Sequence, residues 1–257
     1  MNTIEYGQGA VNNTIGWGQG AKVGSSFSNL KSINLDGIDD YVDMSNPSNL
    51  NFDADNPFTF SVWFKRSSDT SAVALFDKSL GSPNNNGYIC FIYNNQVYFR
   101  IRQNASLQHQ INNNNTHPFN TWIHYIITYD GSRGGSASGL NLYENGVLQT
   151  NVSRTGNFAT GTAQTSANFS IGSRQSTSDL NFNGTIDEVS AFNSELSASD
   201  ITTIYNSGVP NDISSLSPLS WWRCGDGDTA PTLLDNGSGG NNGTMTNFST
   251  FSTDVPT

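Results

Sequence analysis

The stretch Asn181-Phe-Asn-Gly-Thr-Ile-Asp-Glu-Val-Ser-Ala-Phe-Asn-Ser-Glu-Leu-Ser-Ala-Ser-Asp-Ile-Thr-Thr-Ile-Tyr-Asn-Ser-Gly208 decides the fold. Phe182, Ile186 and Val189 carry the apolar side chains of a strand, and Gly184 marks a place where the backbone bulges or passes close to a neighbour. A short helix follows. Ser197 is a candidate N-cap, and Asp200, three residues on, is placed to reach back as its capping-box partner and to favour the helix dipole. Ile201, Ile204 and Tyr205 then share one face and Gly208 supplies the stop, which predicts a helix near residues 198–207.

Within that stretch, Gly184-Thr-Ile-Asp-Glu-Val, Phe192-Asn193, Leu196-Ser197 and Tyr205-Asn-Ser-Gly208 resemble the closing motif of laminin-G-like, concanavalin A-like jelly rolls. Other motifs of that family occur in order. Ser32-Ile-Asn-Leu-Asp-Gly-Ile-Asp-Asp-Tyr-Val-Asp43 is similar to its opening signature, and Thr121-Trp-Ile-His-Tyr-Ile-Ile-Thr-Tyr129 before Asp130-Gly131 to its W-x-H strand. Leu140-Asn-Leu-Tyr-Glu-Asn-Gly-Val-Leu148 is similar to its L-Y-x-N-G-x-L hairpin, and Asn168-Phe-Ser-Ile-Gly172 to its L-x-I-G strand. The resemblance implies an all-β fold, a two-sheet antiparallel jelly-roll sandwich, over residues 27–208 with the one short helix near its end.

The residues between these motifs read the same way. Phe58, Phe60, Val62 and Phe64 alternate on one strand face with Trp63 on the other, so both faces are expected to be partly covered. Gly87–Tyr93 and Gln96–Arg102 flank Asn94-Asn95, a two-residue hairpin turn, and Asn145-Gly146 forms another. Ala72–Phe76 reads as a further strand.

Composition narrows the function. Hydrophobic residues make up 35% and charged residues only 12%, a texture that suits many short strands joined by turns outside the cytosol. With 11 Lys and Arg against 21 Asp and Glu, a generally basic nucleic-acid-binding surface is excluded. Cys90 alternates with Tyr88 and Ile92 and reads as a buried free thiol. No stretch approaches the about 18 apolar residues of a membrane span. The N-terminus has no basic region followed by an apolar run, so the expectation is a chain made without a secretory signal in a host cytoplasm that leaves as part of a virion; otherwise it is extracellular.

Residues 1–26 contain a repeat: Tyr6-Gly-Gln-Gly-Ala10 returns as Trp17-Gly-Gln-Gly-Ala21. Two copies are too few for a solenoid. The segment is either a glycine-rich tail or an attachment segment with Tyr6 and Trp17 as partner contacts. It resembles N-terminal segments of virion structural proteins of marine tailed bacteriophages. At the other end, residues 209–257 hold Leu219-Ser-Trp-Trp-Arg223 and Leu234-Asp-Asn-Gly-Ser-Gly-Gly-Asn-Asn-Gly-Thr-Met245, which resemble a first strand and loop of the same sandwich family, displaced behind the helix. Trp221 and Trp222 are too apolar to be left in water. The segment is expected to complete a sandwich by antiparallel pairing, either in its own chain or in a neighbouring subunit of a homo-oligomer.

Chemistry is sparse. Glucanases that share this sandwich use a strand reading E-x-D-x-E, whose spacing puts two carboxylates on one face. Here the glutamates are Glu5, Glu144, Glu188 and Glu195, none in such a pattern, and Asp187 and Glu188 are neighbours expected on opposite faces. There is no G-x-S-x-G elbow. His109 and His117 fall in an Asn-rich stretch and read as solvated, while His124 reads as a structural strand residue. A catalytic role is therefore not expected. The family resemblance implies one structural Ca²⁺, with Asp36, Asp39, Asp40 and Asp187 as ligands; otherwise Asp39 and Asp187 cap turns. For a glycan, Asn84, Asn85, Asn86 and Arg174, with Asn112 to Asn115, are candidates for the polar contacts, unless the Asn-rich loops are merely soluble turns. Two functional readings result: a non-enzymatic virion structural protein (capsid decoration, head fibre or tail-associated) contacting other virion proteins, and a carbohydrate-binding module of a bacterial surface or secreted protein.

Overall fold

The computed structural model describes residues 27–67, 72–81, 86–104, 106–133, 135–157, 161–174 and 178–257. The repeat aromatics Tyr6 and Trp17 and the glycan candidates Asn84 and Asn85 lie outside the described residues.

Two antiparallel sheets form the molecule. The first holds β1 (Ser32–Asp36), β3 (Phe58–Arg66), β8 (Ile123–Tyr129), β9 (Leu140–Glu144), β10 (Val147–Leu148), β13 (Asn183–Phe192), β14 (Ser220–Trp222) and β17 (Phe251–Ser252). The second holds β2 (Tyr41–Asp43), β4 (Ala72–Ser79), β5 (Gly87–Tyr93), β6 (Gln96–Arg102), β7 (Gln108–Asn113), β11 (Val152–Gly156), β12 (Ser170–Ile171), β15 (Thr232–Leu233) and β16 (Gly243–Thr246). Their orders are β10-β9-β8-β3-β13-β1-β17, with β14 also on β13, and β11-β7-β6-β5-β4-β12-β2-β16-β15. Neighbours distant in sequence, such as β3 with β13, give the jelly-roll wind.

The alternation read from the sequence sets what lies between the sheets. Phe58, Phe60, Val62 and Phe64 of β3 face Phe76, Tyr88 and Phe99 of the second sheet, all buried. Phe60 lies 4.8 Å from Phe76 and 5.0 Å from Tyr88, tilted-ring geometry that favours aromatic pairs. Cys90 is buried among them as a free thiol.

The outer face of the first sheet is covered as well. Helix α1 (Ala198–Tyr205) starts on the expected capping box, with Ser197 accepting from the Asp200 N–H and Asp200 accepting from the Ser197 N–H. Its Ile201 and Ile204 pack with Ile126, Phe192 and Trp221, and Tyr205 stacks on Trp63 at 5.8 Å. The stop comes before Gly208: Asn206 is the C-cap, left-handed at φ 44°, a conformation Asn tolerates. Gly184 is a close-approach glycine, at φ 145° with a Cβ position 2.2 Å from the Lys65 carbonyl oxygen. The bulge itself lies between Asp187 and Ser190.

The C-terminal residues pair within the chain: β14 with β13, β16 with β2, and β17 with β1. Trp222 enters the core and Trp221 packs under α1. Both are buried, so the expectation of Trp221 and Trp222 as partner contacts is corrected: their own sheets and helix use them.

The Asn-rich stretch is also corrected. His109, Asn112 and Asn113 are buried on β7, a strand too polar to announce itself by hydrophobic alternation. His117 is buried too, its Nε2 2.8 Å from the Tyr125 hydroxyl. Among the described residues no helix is long and apolar enough to cross a membrane.

Candidate ligand-binding site

Inward placement of Tyr88, Cys90 and Ile92 on β5, and of Val97, Phe99 and Ile101 on β6, sends their alternate residues to the outer face of the second sheet. Those are Ile89, Phe91 and Tyr93, and Tyr98, Arg100 and Arg102. The Asn94-Asn95 turn, left-handed at φ 47° and 64°, fixes the register that puts Phe91 directly opposite Tyr98. Their rings stack at 5.0 Å, and Tyr93 meets Tyr98 edge-on at 6.2 Å while 45% exposed. Arg100 lies over Phe91 at 5.2 Å and its Nε donates to Gln110 Oε1 at 2.8 Å. The Tyr98 hydroxyl donates to Gln96 Oε1 at 3.1 Å.

Beside this aromatic group is a cavity of about 180 Å³ lined by Ala72, Ile89, Phe91, Arg100, Arg102, Arg174 and Leu180. Arg174 is held by Asp179 through two parallel bonds, 2.8 Å from Nε and 2.6 Å from Nη2. That pairing raises the Arg174 pKa. Burial lowers Arg102 to about 10, with the charges of Arg100 and Arg174 adding to the effect. Asp77 lies beneath, on β4, where burial raises it to about 7 against hydrogen bonds from Ser79.

Of the glycan candidates, Arg174 thus joins the aromatic face. Asn86 lines another depression with Leu80, Gln103 and Thr162, and its Nδ2 donates to the Gln164 carbonyl at 2.6 Å. Asn113 Nδ2 is turned inward, donating to Tyr125 at 2.6 Å and to Glu144 at 2.7 Å. The sequence reading passed over Phe91, Tyr98, Arg100 and Arg102. The signal was present: both strands of a marked hairpin carry aromatic or cationic residues at their outward positions.

Of the calcium candidates, Asp36, Asp39 and Asp40 converge, with carboxylate oxygens within 4.8 Å of one another. They are hard oxygen donors of the kind Ca²⁺ takes, fewer than the six to eight it usually collects. Asp36 Oδ1 accepts the Ile38 N–H at 2.7 Å, and Asp40 Oδ2 accepts the Asp36 N–H at 3.1 Å. Asp187 is not with them. Asp36 sits opposite Asn183, and Asp187 is farther along β13, buried, accepting from Asn29 Nδ2 at 2.9 Å.

The bulge also overturns the expectation that Asp187 and Glu188 point apart. Ile186 and Val189 both enter the core, so the two residues between them share the other side. There they meet Asn29, Trp221, Arg223 and Asp226. Ser61 Oγ lies 2.7 Å from His124 Nε2, but both are buried and the imidazole is stacked on Trp63 at 4.5 Å. Burial lowers His124 to about 3, so this pair is neutral and closed to substrate.

Residues 36–202 match the family described as the concanavalin A-like lectin/glucanases superfamily. Among curated proteins none matches by sequence. A solved structure of a Bacteroides ovatus protein to which carbohydrate binding is ascribed superposes with a TM-score of 0.62 at 16% identity, covering 90% of this chain and 62% of that one. This chain therefore spans less than two thirds of that protein. The CBM40 of the Ruminococcus gnavus IT-sialidase, bound to α2,3-sialyllactose, superposes with a TM-score of 0.52 at 16% identity, covering 70% of this chain and 99% of that one. At such identities the likeness is one of fold.

Proposed function

This chain belongs to the concanavalin A-like lectin/glucanase superfamily, and from that premise we propose that it is a non-catalytic glycan-binding module whose site is the outer face of the second sheet. The observation that carries this reading is the Phe91–Tyr98 stack, 5.0 Å between centroids, beside a cavity rimmed by guanidinium groups. Saccharide rings present C–H faces to aromatic platforms and hydroxyls to amides and guanidiniums, and Gln96, Gln110 and Arg100 stand around the stack. The carbohydrate binding ascribed to the Bacteroides protein and the sialyllactose held by the Ruminococcus module support the same class of ligand. A glycan array followed by titration tests it. Binding that Tyr98→Ala weakens about ten-fold, with the melting temperature kept, is expected; no binding to any glycan removes the reading.

The finer reading, a virion component that presents this module, rests on the Tyr6–Ala10 and Trp17–Ala21 repeat. Deleting residues 1–24 is expected to leave a folded sandwich that no longer joins the particle. Incorporation at the full-length level removes it.

A further inference from the structure

The cavity beside the aromatic stack has a charge opposite to that of the chain. Overall there are 21 Asp and Glu against 11 Lys and Arg, yet three arginines line this one cavity and no carboxylate does. Two carboxylates already stand beside these arginines, Asp179 on Arg174 and the buried Asp77 beneath, so three guanidiniums leave a cationic excess that a group of opposite sign entering the cavity would offset. Burial lowers the pKa values of Arg100 and Arg102, and the neighbouring guanidinium charges lower them further, which is the electrostatic mark of that crowding.

Arg100 and Arg174 are also held in place. Arg100 is fixed by Gln110 and by the face of Phe91, and Arg174 by its double bond pair to Asp179. Guanidiniums held in this way lose little further freedom when an oxyanion arrives, and their planar forks match two oxygens at once. The hydrophobic members, Ile89, Phe91 and Leu180, make the rest of the wall apolar, so a bare inorganic anion would leave them uncovered.

Resting on the glycan-binding reading, we propose that the ligand is an acidic saccharide, with its carboxylate or sulfate held by Arg100, Arg102 and Arg174 and an adjoining sugar ring laid on Phe91 and Tyr98. The charged group supplies the discrimination, because a neutral sugar entering the cavity would remove water from three cations without replacing it by charge.

The test is calorimetric titration of the full chain with paired oligosaccharides. The pairs are 3′-sialyllactose and lactose, an oligogalacturonate and its methyl ester, and a sulfated galacto-oligosaccharide and its desulfated form. At least one acidic member is expected to bind about ten-fold or more tightly than its neutral partner, with the preference shrinking as salt rises. Which pair shows it tells carboxylate from sulfate. Arg102→Gln is expected to collapse the preference; Arg100→Gln, at a less buried position, serves if that variant does not fold. Equal affinity for acidic and neutral members overturns this inference and leaves a glycan-binding module. Binding to no member of any pair and to no glycan on an array overturns both.

Discussion

Trp222 stacks on Phe169 at a centroid distance of 5.2 Å and an interplanar angle of 17°. Its Nε1 donates to the Asn241 carbonyl at 2.8 Å, so the indole brings its polar end to a partner while its body fills the core. A residue near the C-terminus thus closes the space between two sheets built mostly from earlier strands. Trp222→Ala is expected to destabilise the protein by about 3–5 kcal/mol in urea denaturation, the cost of lost burial plus a cavity. Truncation after Gly208 removes β14 to β17 and is expected to give insoluble protein; a soluble truncated chain of unchanged stability would show that this segment is dispensable.

Asp187 and Glu188 make stability depend on pH. Burial, and after it the charge of Glu188, raises Asp187 well above the usual carboxylate range, while burial raises Glu188 to about 7 against the attraction of Arg223. Carboxyls with raised folded pKa values contribute fully below their unfolded values of about 4, and that contribution is lost as pH rises through the folded values. Asp187→Asn keeps the shape and removes the charge. It is expected to gain about 1 kcal/mol on the wild type between about pH 5 and pH 8, read from denaturation at each pH. A difference independent of pH would show that Asp187 titrates normally.

Helix α1 covers the first sheet, on the side of the sandwich away from the proposed glycan face. Ser197→Ala breaks its capping box and is expected to cost about 1 kcal/mol of stability. Glycan affinity should stay at the wild-type value. A parallel loss of affinity would place the ligand near the helix instead.

One structural calcium ion at Asp36, Asp39 and Asp40, without Asp187, is a proposal that the convergence of these carboxylates supports. Chelation is expected to lower the melting temperature, and Asp39→Ala to abolish that sensitivity. Identical melting curves with calcium and with chelator would discard the ion.

The sequence by itself determined the sandwich, the helix and two of its hairpin turns. Alternation along Phe58–Phe64 and Gly87–Arg102, the Asn-Asn and Asn-Gly turns, and the Ser197–Asp200 cap are local signals, because backbone geometry within a few residues carries them. β7 stayed hidden because Gln108-His-Gln-Ile-Asn-Asn113 buries polar groups, and the partners that Asn112 and Asn113 find only in the fold help make that burial tolerable.

Tertiary structure decided the rest. A one-residue bulge put Asp187 and Glu188 on the same side, against the period of two. Pairing of β14 with β13 turned Trp221 and Trp222 from candidate anchors into core. Arg174 reached Arg100 and Arg102 because β12, which ends just before it, pairs with β4, two strands from β6, and this brings together positions some seventy residues apart that no local pattern encodes. A charge cluster of that kind exists only once strands distant in sequence are brought side by side, since its energy depends on separation in space and not along the chain.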